Sequence, residues 1–442
     1  MSIRRTFATT AVAAVLGAAS LSSAPAAAAA IEFWHAFTGR LAELLDEQVA
    51  TFNDSQDEHS VVATPKGNYS EALNAGIAAF RAGEQPTILQ VFEVGTATMM
   101  SAEGAVKPVH EVMSEAGAEF DPSIYLAAVK GYYTTTDGKM LSLPYNSSTP
   151  VLYMNLDALK EAGVDTATPP KTWDDVEKIL VQLKEAGSDC PMTTAWQSWV
   201  HLENLSAYHD VPFATKENGF GGLDTELEFD GDLQVRHIDN LGRWAKDGLF
   251  VYTGRRNEGG ARFRAGECAL FTESSAGYAG VAEEAQFEFA IAPLPYYDDV
   301  EGAPQNTIIG GASLWVLAGK SDAEYEAAAA FLNFLSTPDI QAAWHQNTGY
   351  LPITTAAYEQ TKSEGFYEKN PGTDVAILQM TGKEPTENSK GLRLGNFDQI
   401  RTVIDEELEA VWQGEKDAKA ALGSAVERGD ELLRRFERTA GR

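Results

Sequence analysis

The sequence predicts an α/β protein built as two lobes. Three observations carry that expectation. The chain has 442 residues, too many for one ordinary core. Short apolar runs alternate with segments of helical periodicity from Ile31 onward. In the stretch Leu143–Asn155, Pro144 and Pro150 bracket Tyr145, Asn146, Ser147, Ser148 and Thr149 ahead of the apolar run Val151–Met154. Such a stretch reads as an extended passage from one core to another, or as a loop feeding a buried strand, and its residues alone leave both open.

Apolar residues at 44% and charged residues at 22% are values of a folded globular chain. A formal charge of -30 argues against a nucleic-acid surface, which needs clustered Lys and Arg. It favours a soluble, self-repelling protein, such as one adapted to a saline medium.

Residues 1–30 read as a signal peptide. Arg4 and Arg5 form the positive end, the apolar stretch Ala8–Leu21 is too short to span a bilayer, and Ala28, Ala29 and Ala30 offer small residues for cleavage near Ala30. Thr6 and Phe7 after the arginine pair leave Sec and twin-arginine export both open. No cysteine follows the alanines, so a lipid anchor is not expected, and the mature chain is expected free in an extracytoplasmic space. Only Cys190 and Cys268 remain there, either as one disulfide, which export favours, or as two buried thiols.

Along the mature chain, Ile31–Trp34 reads as a strand, Leu41, Leu44, Leu45, Val49 and Phe52 recur at helical spacing, and Val61–Ala63 restores a strand. Asn68 followed by Glu71 forms a capping box that places Tyr69 in the first turn of a helix, where free N–H groups attract an anion. Thr87–Phe92 is a nearly continuous apolar run, as in a parallel strand covered on both faces, and Glu93 stands where it ends. Carboxyl ends of strands line the ligand crevice of open α/β sheets, so Glu93 is a binding candidate or a solvated helix start.

Further on, Thr172 caps a helix with the stripe Val176, Ile179, Leu180 and Leu183. Trp196 and Trp199 follow, three apart, as core residues or as a cleft lining, with His201 and Glu203 close behind. Arg255 and Arg256 mark an exposed turn, and Cys268–Phe271 is a strand with Ser274 and Ser275 at its end. Ala290–Pro295 and Gly349–Pro352 are further candidate passages between lobes, and Gly310 and Gly311 precede the strand Ala312–Leu317.

No zinc-ligand spacing occurs among the seven histidines, and no Walker loop, dinucleotide fingerprint or nucleophile elbow appears. An enzyme, such as a secreted phosphodiesterase, is the weaker expectation. Adjacent carboxylates such as Asp174 and Asp175 are abundant in so acidic a chain and carry little weight.

Several long runs carry a resemblance: Asn68–Tyr69, Ile88–Met100, Asn146–Tyr153, Trp196–Glu203, Ala303–Trp315, Trp344–Ile353 and Lys390–Asn396. They resemble the periplasmic glycerol-3-phosphate-binding proteins of ABC importers, and the similarity covers essentially all of the mature chain. The resemblance implies a maltose-binding-protein-like (type II periplasmic binding protein) clamp, two α/β lobes joined by a three-segment hinge. The lobes are expected as 31–146 plus 296–346 and 147–295 plus 347–442.

The resemblance also implies a ligand set of Tyr69, Glu93, Ser148, Trp196, Trp199, Ser274, Gly311, Tyr350 and Arg401. Arg401, helped by Arg393 and Lys390, is expected to supply a positive well and a fork for phosphate, with Glu93 at the opposite, glycerol end. The tryptophan faces suit a cationic head group such as choline. The implied partners are glycerol 3-phosphate or a glycerophosphodiester and a membrane permease with a separate ATPase, for a monomer without cofactor, metal or nucleic acid. A sugar-binding protein of the same fold is the alternative.

Overall fold

The structure is a computed structural model and describes residues 29–440 apart from 103 and 136, so the expected signal peptide lies almost wholly outside the described residues. Ten strands form two sheets: β1 Ala29–His35, β2 His59–Pro65, β3 Ile88–Phe92, β4 Val106–Lys107, β5 Leu143–Ser148, β6 Pro150–Asn155, β7 Met192–Thr194, β8 Leu270–Ser274, β9 Phe289–Ala292 and β10 Gly310–Leu317. The first sheet has the order β2-β1-β3-β10-β4, with β5 also paired to β10. The second has the order β7-β8-β6-β9.

The opening of the first lobe follows from its periodicity. β1 pairs in parallel with β2 and β3, and helix Gly39–Ser55 between them buries Leu44, Leu45, Val49 and Phe52. Phe331, from helix Asp322–Leu335, closes that core, with ring centroids 6.1 Å from Phe33 and 5.1 Å from Phe52. Cleavage after Ala30 would remove two residues of β1 and leave its pairing from Ile31 onward.

The second lobe sets helices Trp173–Glu185, Asp232–Asp247, Phe397–Trp412 and Ala418–Ala440 around the smaller sheet. Thr172 caps the first of these in a capping box with Asp175. Cys190 and Cys268 form a disulfide with an S–S distance of 2.08 Å. It joins the segments entering the parallel neighbours β7 and β8, opposite the strand ends that carry Thr194 and Ser274.

A single residue, Thr149, separates β5 in one sheet from β6 in the other, so the stretch with two prolines is a passage between lobes. The other two passages fall later than the proline and glycine clusters suggest. Gln305 N donates to Tyr208 O at 2.7 Å and Ile308 N to Asn204 Oδ1 at 2.9 Å, which keeps 296–308 on the second lobe until Ile309–Gly310. Leu126 N donates to Ile353 O at 3.0 Å, so the chain at Ile353 still belongs to the first lobe. It reaches the second lobe by helix Val375–Thr381, where Gln379 bonds Pro150 O. Proline and glycine mark breaks in backbone pairing, whereas lobe membership depends on long-range partners.

Candidate functional site

A cavity of about 380 Å³ opens between the lobes, within the range of small-ligand sites. All nine residues of the expected set line it. Tyr69, Glu93 and Gly311 come from the first lobe and Trp196, Trp199, Ser274 and Arg401 from the second. Ser148 and Tyr350 lie in or beside the passages. Glu93 directly follows β3 and Ser274 closes β8, so both stand at strand ends, the positions that face a crevice.

Local chemistry fixes each position. Asn68 Oδ1 accepts from Glu71 N at 3.0 Å and Glu71 Oε2 from Asn68 N at 2.8 Å, so the capping box presents Tyr69 to the cavity. The Tyr69 ring stacks on Phe92, with centroids 5.4 Å apart, and its hydroxyl accepts from Asn146 Nδ2 at 2.9 Å. Burial raises the Tyr69 phenol well above its usual range and Tyr350 to about 12, so both keep their protons and can donate. Gly311 has φ +99°, and a Cβ there would lie 1.9 Å from Asn146 O; only glycine fits. A Cβ on Gly310 would meet the Trp199 ring at 2.5 Å, which explains the glycine pair as the seat of that indole.

Trp196 sits at φ 49°, a strained left-handed conformation that turns its ring toward the cavity. Trp199 opens the π-helical turn Trp199–Asn204 and packs with Val200, Tyr208 and Leu294. The pair therefore serves cleft and core together.

Arg401 requires a correction. It is not an open positive well: Nε and Nη2 donate to Glu203 Oε1 and Oε2 at 2.7 Å each, and Nη2 also donates to Glu93 Oε1 at 2.6 Å. The three side chains are buried, and their net charge is negative. Burial opposes the charge on Arg401, but Glu203 and Glu93 outweigh it and the guanidinium stays charged. Burial pushes Glu93 upward, and Arg401 pulls it back. Glu93 is thus beside Arg401, not at the far end of the cavity. Its partner is 308 residues away, a distance no spacing argument spans.

Nor do the neighbouring cations help Arg401. Arg393 donates to Tyr132 O at 2.8 Å and to the carbonyls of Gly131 and Thr134, and Lys390 pairs with Glu217. Arg256 lines the cavity instead. It lies 5.4 Å over the Trp196 ring, and its Nη2 donates to Ser70 Oγ at 3.1 Å. The sequence marked Arg256 only as part of an exposed turn. Glu203 and Glu273 were also missed as site residues; each stands within a few positions of a residue that was singled out.

Residues 47–373 match the family described as bacterial extracellular solute-binding protein.

The chain belongs to that family.

Among this solute-binding protein's relatives, the sn-glycerol-3-phosphate-binding periplasmic protein UgpB of Pectobacterium atrosepticum is 51% identical over 438 residues, covering 99% of this chain and 98% of the relative. The protein of the same description from Escherichia coli O1:K1 is 51% identical over 431 residues, covering 97% and 98%. Solved solute-binding structures share the fold. UgpB from Mycobacterium tuberculosis in complex with glycerophosphocholine superposes with a TM-score of 0.77 at 21% identity, covering 92% of this chain and 98% of that one. Maltose-bound MalE3 of T. maritima gives 0.75 at 19% identity, covering 92% and 100%. The maltose-binding-protein-like clamp expected from the sequence is therefore the fold. No helix of the described residues is long and apolar enough to cross a membrane.

Proposed function

We propose that this protein is the substrate-binding component of an ABC importer that captures glycerol 3-phosphate and glycerophosphodiesters such as glycerophosphocholine. The observation that carries the reading is convergence. All nine expected ligand residues, drawn from both lobes and the passages between them, line one cavity, in a chain half identical over nearly its whole length to glycerol-3-phosphate-binding proteins. The protein is exported by its signal peptide, acts as a periplasmic monomer, and delivers its ligand to a permease with a separate ATPase.

The mechanism is closure. Ser148, Ser274 and Tyr350 donate to phosphate, and Arg256 supplies the least committed positive charge of the cavity. Glu93 accepts from a glycerol hydroxyl while Arg401 holds it in place. The faces of Trp196 and Trp199 cover the carbon chain and a cationic head group. Contacts on both lobes favour the closed form, and moving a clamp from mostly open to mostly closed takes roughly 5.5 kcal/mol of differential binding.

Calorimetric titration with glycerol 3-phosphate, glycerophosphocholine and maltose tests the reading. Saturable binding of either phosphate ester and none of maltose is expected. Binding of maltose alone would return the protein to the sugar-binding branch of the fold.

A further inference from the structure

Glu273 is the buried titratable group of the cleft that the mechanism above does not use. It is the penultimate residue of β8, is 4% exposed, and lines the cavity beside Ser274 and Trp196. Its carboxyl accepts from Ser274 N at 2.6 Å, and the Trp196 indole N–H also faces it as a donor. Gly277 makes room for it, since a Cβ there would stand 2.8 Å from Glu273 Cγ.

Among the described residues, no uncommitted cation faces this carboxyl. Helix Glu258–Arg264 turns Glu258 and Arg264 toward it, and Arg264 Nε already donates to Glu284 Oε2 at 2.9 Å. β6 contributes Tyr153, whose hydroxyl donates to Ser275 O at 2.8 Å. Tyr278 comes from helix Tyr278–Glu284 and Tyr350 from the turn after Gly349, while the Trp196 indole covers the remaining side. A carboxylate so buried, without a paired cation, holds its proton rather than its charge.

We propose that Glu273 is a ligand-contacting residue that donates a hydrogen bond from its carboxylic acid to a phosphate oxygen of the bound ester, so that capture weakens in alkaline solution. The proposal rests on the function argued above and extends it to a residue and a pH response. An ionised carboxylate would repel the phosphate, whereas the acid form adds a donor beside Ser274. Burial raises the Glu273 carboxyl to about 8, which places the change at the alkaline edge of the physiological range. The facing phenols stay protonated there: burial lifts Tyr278 above its usual value, Tyr350 to about 12 and Tyr153 well above the usual phenol range.

The test is titration of the mature protein with glycerophosphocholine, a diester with no group of its own that titrates between about pH 6.5 and 9.5. Wild-type affinity is expected to fall about tenfold over that interval as the acid ionises. Glu273→Gln, whose amide donates at every pH, should flatten the profile. Glu273→Ala should bind about tenfold more weakly than Glu273→Gln at the acidic end.

A flat wild-type profile overturns the proposal, as does Glu273→Gln with the wild-type slope. Affinity that rises with pH also overturns it, because Glu273 would then act as an ionised acceptor. Should Glu273→Ala not fold, the wild-type and Glu273→Gln slopes decide between them. Absence of binding at every pH by folded protein overturns the functional reading and this proposal with it, whereas pH-independent binding overturns this proposal alone.

Discussion

Glu93 and Glu273 stand near strand ends in the two lobes, Glu93 directly after β3 and Glu273 one residue before the end of β8, and are buried alike at 5% and 4% exposure. They differ in their partners. Glu93 meets the guanidinium of Arg401, which also holds Glu203, whereas Glu273 meets only neutral donors among the described residues, the Ser274 backbone N–H and the Trp196 indole. Burial raises both carboxyls, and the difference between them comes from the cation. One crevice thus presents a carboxylate on one wall and a carboxylic acid on the other, which suits a ligand carrying hydroxyls at one end and a phosphate at the other.

The comparison breaks most sharply at Arg401. Arg401→Ala leaves Glu93 and Glu203 buried without a cation and should destabilise the fold by about 3–5 kcal/mol in denaturant unfolding at neutral pH. A loss below about 1 kcal/mol would mean that the two carboxyls neutralise themselves as Glu273 does, and the distinction would vanish.

The next effect is a pH dependence. Because the folded Glu273 value, about 8, lies above its unfolded value, the native state binds more protons through that window. Its contribution is fully present in acid and is lost as the pH rises toward 8, amounting to several kcal/mol in all. Glu273→Gln should therefore gain on the wild type between acidic and alkaline unfolding experiments. A constant difference between the two proteins would place the carboxyl in a wetter setting than the structure gives it.

A smaller change is expected from Glu93→Gln, which spares the Arg401–Glu203 pair and removes only the charged contact between lobes. About 1 kcal/mol of stability should go, with a larger radius of gyration for the unliganded protein in X-ray scattering. An unchanged radius would show that this ion pair does not hold the lobes together. Asp398→Asn is the smallest test. The Asp398 side chain accepts from the Ser70 hydroxyl at 2.7 Å and lies 4.0 Å from Arg256, and the change should shift stability by no more than ~0.5 kcal/mol.

Local signals in the sequence were legible where the cause was local. The capping boxes at Asn68 and Thr172, the apolar run into Glu93 and the proline-bracketed strand pair all follow from residues within a few positions of one another. The gathering of Tyr69, Trp196, Ser274 and Tyr350 came from the family resemblance, because nothing in their spacing joins them. Charge state was the least legible. Arg401 looked like an open anion site because its two neutralising carboxylates come from residues 93 and 203. The second and third passages were placed too early for the same reason: what holds 296–308 to the second lobe is Tyr208 and Asn204, far away in sequence.

The passages themselves carry a consequence for signalling. Ser147 O accepts from Leu351 N at 2.7 Å, Thr149 O accepts from Ser275 N at 2.9 Å, and Gly310 and Gly311 sit opposite Ser148 and Ser147 across the β5–β10 ladder. Ser148, Ser274, Gly311 and Tyr350 are therefore each either in this bonded knot or one residue from it. The groups that would touch a ligand and the torsions that would let the lobes swing belong to the same few peptide units. Occupancy need not be relayed through the body of either lobe, because the sensor and the joint are one piece of backbone.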